Sequence, residues 1–158
     1  MEDIKIGDLA PDFCLKNSLD QDICLKDFKS KYVVLYFYPR DNTPGCTTEA
    51  KEFTDFINDF NSLGAEVVGI SADSIKSHVK FIEKHGLKIN LLSDPEHVVI
   101  EKYGAWQKKK MAGREYYGIV RSTFIINSEG IIVKIWPKVK SKGHAEAVLE
   151  TLKEIKIS

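Results

Sequence analysis

Apolar residues recur along this chain with two different periods, and together they outline most of its elements. YVVLYFYP (32 to 39) is a continuous apolar, aromatic and β-branched run, the pattern of a central strand buried on both faces and closed by proline. EVVGIS (66 to 71) is a second such run. Between them Ala50, Phe53, Ile57 and Phe60 recur at helical spacing. Strand, helix and strand on this scale form a βαβ unit, which predicts parallel pairing. SIKSHVKFIEKHG sets Ile75, Val79 and Ile82 on one face and ends at Gly86, the pattern of a surface helix. LKINLL reads as a short strand. In DPEHVVIEKYG, Asp94 is placed to cap a short helix, Pro95 to take its first position and Gly104 to follow its end. AWQKKKMAGREYYGIV is polar and aperiodic, which predicts a long loop. STFIIN and IIVKIWP flank Ser-Glu-Gly as an antiparallel hairpin. HAEAVLETLKEI carries Ala145, Val148, Leu149, Leu152 and Ile155 on one face and closes the chain as an amphipathic helix.

The N-terminal stretch DFCLKNSLDQDICLKDF reads as two short strands around a polar turn, an N-terminal β-hairpin. The sum is an α/β chain with a mixed central sheet flanked by helices, the architecture of a thioredoxin-like fold. At 158 residues it is one domain by size (1–158), large enough to bury a core without staples. Composition narrows the function. Lys plus Arg equals Asp plus Glu, so there is no overall field to draw nucleic acid or an anionic membrane surface. MEDIKIGDLAPDF has neither a basic start nor an apolar core segment, and no run approaches a membrane span, so the expected location is cytoplasmic. Three cysteines (Cys14, Cys24 and Cys46) are too few for a secreted disulfide framework, and they are not spaced as CxxC. They are inert core thiols, or one of them is reactive.

The informative stretch is YPRDNTPGCTTEAKEF, 38 to 53. With Thr43 as N-cap, Pro44 takes the first helical position, Gly45 the second and Cys46 the third. The first-turn N–H groups lack intrahelical partners and carry the positive end of the helix dipole. An anion is stabilised there, and for a cysteine that anion is the thiolate. Cys46 is also in register with Ala50, Phe53 and Ile57, which sets the sulfur at the rim of the buried stripe. A buried cysteine that merely fills space is the plainer reading, but it does not explain the Thr-Pro-Gly lead-in. The loop lacks the Lys of a phosphate-binding P-loop. The residues after the thiol lack the arginine that a cysteine-based phosphatase needs. Full ionisation of a thiol at neutral pH gains roughly 30-fold, about 2 kcal/mol, whereas enzymes usually supply about 8 kcal/mol or more. The transition state must therefore be stabilised too. The available donors are the Thr43 hydroxyl, the Gly45 and Cys46 N–H groups and one of the three arginines, Arg40, Arg114 or Arg121.

PRDNTPGC fits Pro39-x-x-x-Thr43-x-x-Cys46 and resembles the signature of peroxiredoxins. The TPGCTTEAxxF form is similar to the peroxiredoxin Q, or bacterioferritin comigratory protein, branch. GDLAPDF, LKDFKSKYVVLYFYP, KYGAWQKKKMAGREYYGIVRSTFIIN and KVKSKGHAEAVLE resemble further segments of that branch in the same order. The resemblance implies a thiol peroxidase acting on hydrogen peroxide and organic hydroperoxides. Cys46 is then the peroxidatic nucleophile, passing through a sulfenic acid. Thr43 hydrogen-bonds the peroxide, Pro39 shields the sulfur, and Arg121, in its RSTF context, holds the thiolate and polarises the O–O bond. No metal or flavin cofactor is implied, because the O–O bond is weak and sulfur takes up the oxygen. The implied partners are a hydroperoxide and a thioredoxin-like or small-thiol reductant, with the chain a monomer or homodimer.

One departure from the branch affects turnover. Many members carry a resolving cysteine five residues after the first, and here that position is Lys51. An external thiol, Cys24 or Cys14 after the first helical turn unwinds, or a cysteine of another subunit could complete the cycle. Cys14 and Cys24 are equidistant from the turn near Leu19, so period-2 alternation points both to one face. They are ordinary hairpin side chains in contact by register, or they resolve the sulfenate or form a secondary disulfide. His78, His85, His97 and His144 share no spacing and read as solvated or capping residues. Two rivals from other classes remain: a thioredoxin-like binding module with a vestigial Cys46, which intact Thr43 and Arg121 oppose, and a thiol–disulfide oxidoreductase, which the missing CxxC opposes.

Overall fold

The structure, a computed structural model, describes residues 4–157. Residues 1–3, the start of the MEDIKIGDLAPDF segment, and Ser158 lie outside it. In chain order the strands are β1 (Cys14–Asn17), β2 (Asp22–Cys24), β3 (Tyr32–Phe37), β4 (Ala65–Ser71), β5 (Asn90–Ser93), β6 (Trp106–Met111), β7 (Arg114–Ile119), β8 (Ser122–Ile126) and β9 (Ile132–Trp136). The helices are α1 (Pro44–Asp55), α2 (Ile57–Ser62), α3 (Ile75–His85), α4 (Val98–Lys102) and α5 (His144–Ile157). Seven strands form one mixed sheet in the order β2-β1-β5-β4-β3-β8-β9. β3, β4 and β5 run parallel, as the βαβ pattern requires, while β1, β2, β8 and β9 are antiparallel to their neighbours.

Alternation along β3 divides the interior into two layers. Val34, Tyr36 and Tyr38 face Cys46, Ala50, Phe53, Ile57 and Phe60 of α1 and α2, Phe81 of α3, and Val148, Leu149 and Leu152 of α5. Val33, Leu35 and Phe37 face the other way, onto Leu25, Val99, Ile100, Tyr103 and Phe124. Phe53 is fully buried and stacks on Tyr36 at 4.8 Å between ring centroids. Truncating such a ring costs about 3–5 kcal/mol.

Four expectations change. AWQKKKMAGREYYGIV is not a loop but the β6–β7 hairpin, a separate two-stranded ribbon. Its faces are mostly solvent-exposed, so no apolar alternation marks it. Ala112 and Gly113 both take positive φ (51° and 80°) at its tip, the geometry whose twist suits a two-residue hairpin turn. The first helix is interrupted at Phe56, whose N–H still bonds Glu52 O, so Ile57 and Phe60 continue the same buried stripe. α4 begins at Val98 rather than at Pro95. Asp94 nevertheless caps it from a distance, accepting from Val98 N at 3.2 Å and Ile100 N at 2.9 Å. In α3 the buried residues are His78 and Phe81, while Ile75, Val79 and Ile82 are only half-buried.

Candidate active site

α1 starts where β3 ends. Thr43 is the N-cap in an extended conformation (φ −89°, ψ 153°), with Pro44 at the first helical position and Cys46 at the third. The hydroxyl of Thr43 does not cap the helix. It donates instead to Arg40 O at 2.8 Å, within the loop that leads from Pro39. That keeps the first-turn N–H groups uncapped by a side chain, and the positive end of the helix remains available to an anion. Cys46 is 1% exposed and packs in the layer under α1. Its preceding neighbours Thr43, Pro44 and Gly45 are half-exposed or exposed, so the thiol lies just under the surface. Pro39 follows Tyr38 at the end of β3 and is half-buried.

Of the three arginines, the structure brings Arg121 to the sulfur. Its Nη2 donates to Cys46 Sγ at 3.3 Å, and its Nη1 donates to Glu49 Oε1 at 2.6 Å. Arg121 sits between β7 and β8, and Val139 N bonds its carbonyl oxygen at 3.0 Å, so strand ends on both sides fix its backbone. Glu49, one turn after Cys46 on the same helix face, is 0% exposed. Burial pushes its carboxyl up to about 7, against the opposing pull of Arg121. Burial in turn lowers the Arg121 pKa, but Glu49 and Cys46 outweigh it, and the guanidinium stays firmly charged. The backbone of Gly45 closes the clamp: a Cβ there would lie 3.2 Å from Arg121 Nη2 and 3.3 Å from Ser141 Oγ. Glu49 and Ser141 did not emerge from the sequence, which offered Gly45 as a backbone donor and not as a close contact of the guanidinium. Glu49 could have, from its i+3 spacing to Cys46 on one helix face.

The loop carrying Thr43 is tied down by a buried polar network, also unforeseen. Asp41 accepts from Tyr38 Oη at 2.6 Å and Ser77 Oγ at 2.8 Å, and its Oδ2 lies 2.7 Å from His78 Nδ1. Its own N–H donates to Asp73 at 2.8 Å, and His78 Nε2 bonds Leu92 O at 3.0 Å. His78 is thus wholly buried in α3, and His144 is buried against Thr123, with Nε2 2.7 Å from Oγ1. Neither is the solvated or capping residue that spacing suggested: each stands in an otherwise apolar stripe, His78 with both ring nitrogens bonded inside the protein and His144 with its Nε2 bonded to Thr123. Burial, then the nearby Arg121 charge, lowers His144 to about 4. The ligating atoms of Asp41, Asp73 and His78 lie within 4.8 Å of one another, close enough for a cation, but each is already engaged with protein donors or acceptors. A cleft of about 470 Å³ bounded by Leu25, Lys29, Val33 and Gly130 opens at the opposite end of β3, away from Cys46.

Cys14 and Cys24 are register partners on β1 and β2 and form a disulfide. Of the two sequence readings of this pair, mere contact gives way to a covalent bond. Cys46 is the remaining free cysteine.

Fold and site together define a thioredoxin-like domain built around a thiol held between a helix start and a guanidinium. The sequence profile of the AhpC/TSA family matches residues 6–135. A putative peroxiredoxin bcp of Helicobacter pylori is 51% identical over 152 residues, covering 96% of this chain and 100% of that protein. The peroxiredoxin Bcp of Bacillus subtilis is 50% identical, covering 96% and 97%. The crystal structure of a Xylella fastidiosa PrxQ mutant superposes with a TM-score of 0.92 at 38% identity over 99% of both chains. The chain belongs to the peroxiredoxin family, in its Q or Bcp branch. It is accordingly a thiol-dependent peroxidase.

Proposed function

We propose that Cys46 is the peroxidatic nucleophile of this enzyme and that Arg121, Thr43 and Pro39 complete its site. The observation that carries this reading is the 3.3 Å contact from Arg121 Nη2 to Cys46 Sγ in the first turn of α1. A thiolate attacks one oxygen of a hydroperoxide. An S–O bond forms, the O–O bond breaks, and the departing oxygen takes a proton to become water or an alcohol. Arg121 stabilises the charge as it passes from sulfur to the leaving oxygen, the role of a preorganised donor. Because Thr43 gives its hydroxyl proton to Arg40 O, its oxygen lone pairs are free to accept the O–H of the incoming peroxide. Pro39, at the end of β3, walls the loop that carries these groups. Hydrogen peroxide and small organic hydroperoxides are the proposed substrates, and a thioredoxin-like or small thiol is the final reductant. The proposed setting is the cytoplasm, where thiol donors are maintained. Among the described residues, no helix is long and apolar enough to cross a membrane.

Replacing the nucleophile is the test. Cys46→Ser is expected to abolish peroxide consumption in a thiol-coupled assay while leaving the folded state intact. Consumption at the wild-type rate would remove Cys46 from the chemistry.

A further inference from the structure

Cys46 has no cysteine neighbour to resolve its sulfenic acid, since Lys51 stands where a nearby thiol would be needed. The chain nonetheless holds a second sulfur pair, and three observations connect it to the site. The first is placement in the sheet. β1 pairs with β5 through Lys16↔Ser93, and Cys14 lies two residues further toward the end where the parallel strands finish, the end from which α1 starts. Leu15 and Ile23 pack in the layer opposite to the one that holds Cys46. By strand alternation Cys14 and Cys24 therefore lie on the sheet face that carries α1.

The second observation is access. Cys14 is exposed and Cys24 half-exposed, and the two line an open cleft of about 230 Å³ with Asp12, Phe13 and Lys26. This disulfide joins strands that already pair with each other, and a dissolved or protein thiol can reach it. The third is reach. The loop before α1 is anchored at Asp41, whose network ends on β5 through His78 and Leu92 O. β1 is the next strand, about 5 Å further on, and Cys14 lies three residues along it from Asn17, the partner of Leu92, roughly 10 Å at the rise of a strand. The five residues from Asn42 to Cys46 span up to roughly 17 Å when extended. Unwinding the first turn of α1 takes little: Thr43 provides no side-chain cap, and the turn is closed by Thr47 N to Thr43 O at 2.8 Å. Oxidation of the sulfur also changes the atom to which Arg121 donates.

Resting on the peroxidatic role proposed for Cys46, we infer that Cys14 and Cys24 are a second redox centre, a reversible dithiol that regenerates Cys46 within the same chain and is itself reduced by an external dithiol. In the reduced chain, the Cys14 thiol condenses with the Cys46 sulfenic acid, forming a Cys14–Cys46 disulfide and releasing water. The Cys24 thiolate then attacks the Cys14 sulfur, forming Cys14–Cys24 and expelling Cys46 as thiolate. An external dithiol reduces Cys14–Cys24 and leaves as its own disulfide. The net reaction converts one dithiol and one hydroperoxide into one disulfide, one alcohol or water, and one water. The disulfide in the structure is the oxidised end of this cycle.

The test uses full-length protein reduced with excess dithiothreitol, freed of it, and titrated with hydrogen peroxide before alkylation and peptide mass mapping. Wild type is expected to consume two equivalents: the first yields Cys14–Cys24 with Cys46 alkylated as a thiol, the second a Cys46 sulfenic acid. Cys14→Ser/Cys24→Ser is expected to consume one, halving the stoichiometry. Cys24→Ser is expected to accumulate a Cys14–Cys46 disulfide at monomer mass. The relay is overturned if wild type consumes one equivalent and both Cys14 and Cys24 are alkylated. It is equally overturned if Cys14–Cys24 forms as fast in Cys46→Ser, or if the trapped disulfide joins two chains. Failure of the peroxidatic role itself is a different result, absence of any Cys46 sulfenic acid in Cys14→Ser/Cys24→Ser, and it takes the relay with it.

Discussion

Replacing Arg121 by methionine keeps an aliphatic stem and removes both contacts of the guanidinium, to Cys46 Sγ at 3.3 Å and to Glu49 Oε1 at 2.6 Å. Two separable losses follow. The reacting sulfur and the leaving oxygen lose a charged donor. Removing one such donor from a preorganised site costs about 2.7–4 kcal/mol. At about 3 kcal/mol the first oxidation slows by roughly 100-fold. The fold loses the counter-charge of a wholly buried carboxylate. Burial already holds Glu49 at about 7 with Arg121 present. Without that cation the carboxyl rises further and protonates near neutral pH instead of remaining charged. The stability cost is therefore on the order of 1–2 kcal/mol, below the ~3–5 kcal/mol of a buried pair broken with its charge retained. Arg121→Met/Glu49→Leu is expected to recover the stability and not the rate, since a well-packed apolar replacement of a buried pair is often neutral. Single-turnover stopped-flow with pre-reduced protein measures the rate, and urea unfolding measures the stability. A single variant within threefold of the wild-type rate, or a double variant that regains it, would show that the guanidinium does not stabilise the reacting sulfur.

Three further outcomes follow from the same geometry. Gly45→Ala is expected to slow the first oxidation by about 10-fold without loss of stability. Its Cβ would crowd Arg121 Nη2 at 3.2 Å, while helical backbone favours alanine over glycine. Equal rates with an unshifted midpoint would show that the guanidinium tolerates displacement. Asp41→Ala is expected to destabilise by about 3 kcal/mol, because it strands Tyr38 Oη, Ser77 Oγ and the His78 ring; a change below 1 kcal/mol in urea unfolding would contradict the network. His144, held at about 4 by burial and Arg121, is neutral in the native state below the unfolded value of 6.5. The unfolded chain then binds more protons, so stability is full above about pH 6.5 and falls by about 3 kcal/mol as pH drops to about 4. His144→Gln should flatten that slope, and parallel wild-type and variant profiles would reject the assignment.

The sequence was legible where one physical signal dominates. Pro44 at the first helical position and the stripe Ala50, Phe53, Ile57 located Cys46 in a first turn, and the structure places it there. The two apolar runs gave the parallel β3–β4 pairing, and the spacing of Cys14 and Cys24 about Leu19 gave their register. The β6–β7 ribbon was hidden because both its faces meet solvent, and its Ala112-Gly113 turn is a weaker signal than Asn-Gly. His78 and His144 were hidden for a different reason: a polar residue in an apolar stripe reads as a surface position until partners such as Asp41, 37 residues from His78, and Thr123, 21 residues from His144, are known. Asp41 was hidden because it stands in a polar loop whose partners Ser77 and His78 come from α3. Arg121 is 75 residues from Cys46; only the family resemblance singled it out from Arg40 and Arg114. Its partner Glu49 was within reach of helix periodicity.

The peroxidatic role of Cys46 is tested by mapping where peroxide leaves its oxygen. Pre-reduced Cys14→Ser/Cys24→Ser protein, treated with one equivalent of hydrogen peroxide in the presence of dimedone, which couples to sulfenic acids, is digested and sequenced by mass spectrometry. A stoichiometric adduct on Cys46 is expected, formed within the mixing time of the experiment. An unmodified Cys46 beside undiminished peroxide would contradict that role.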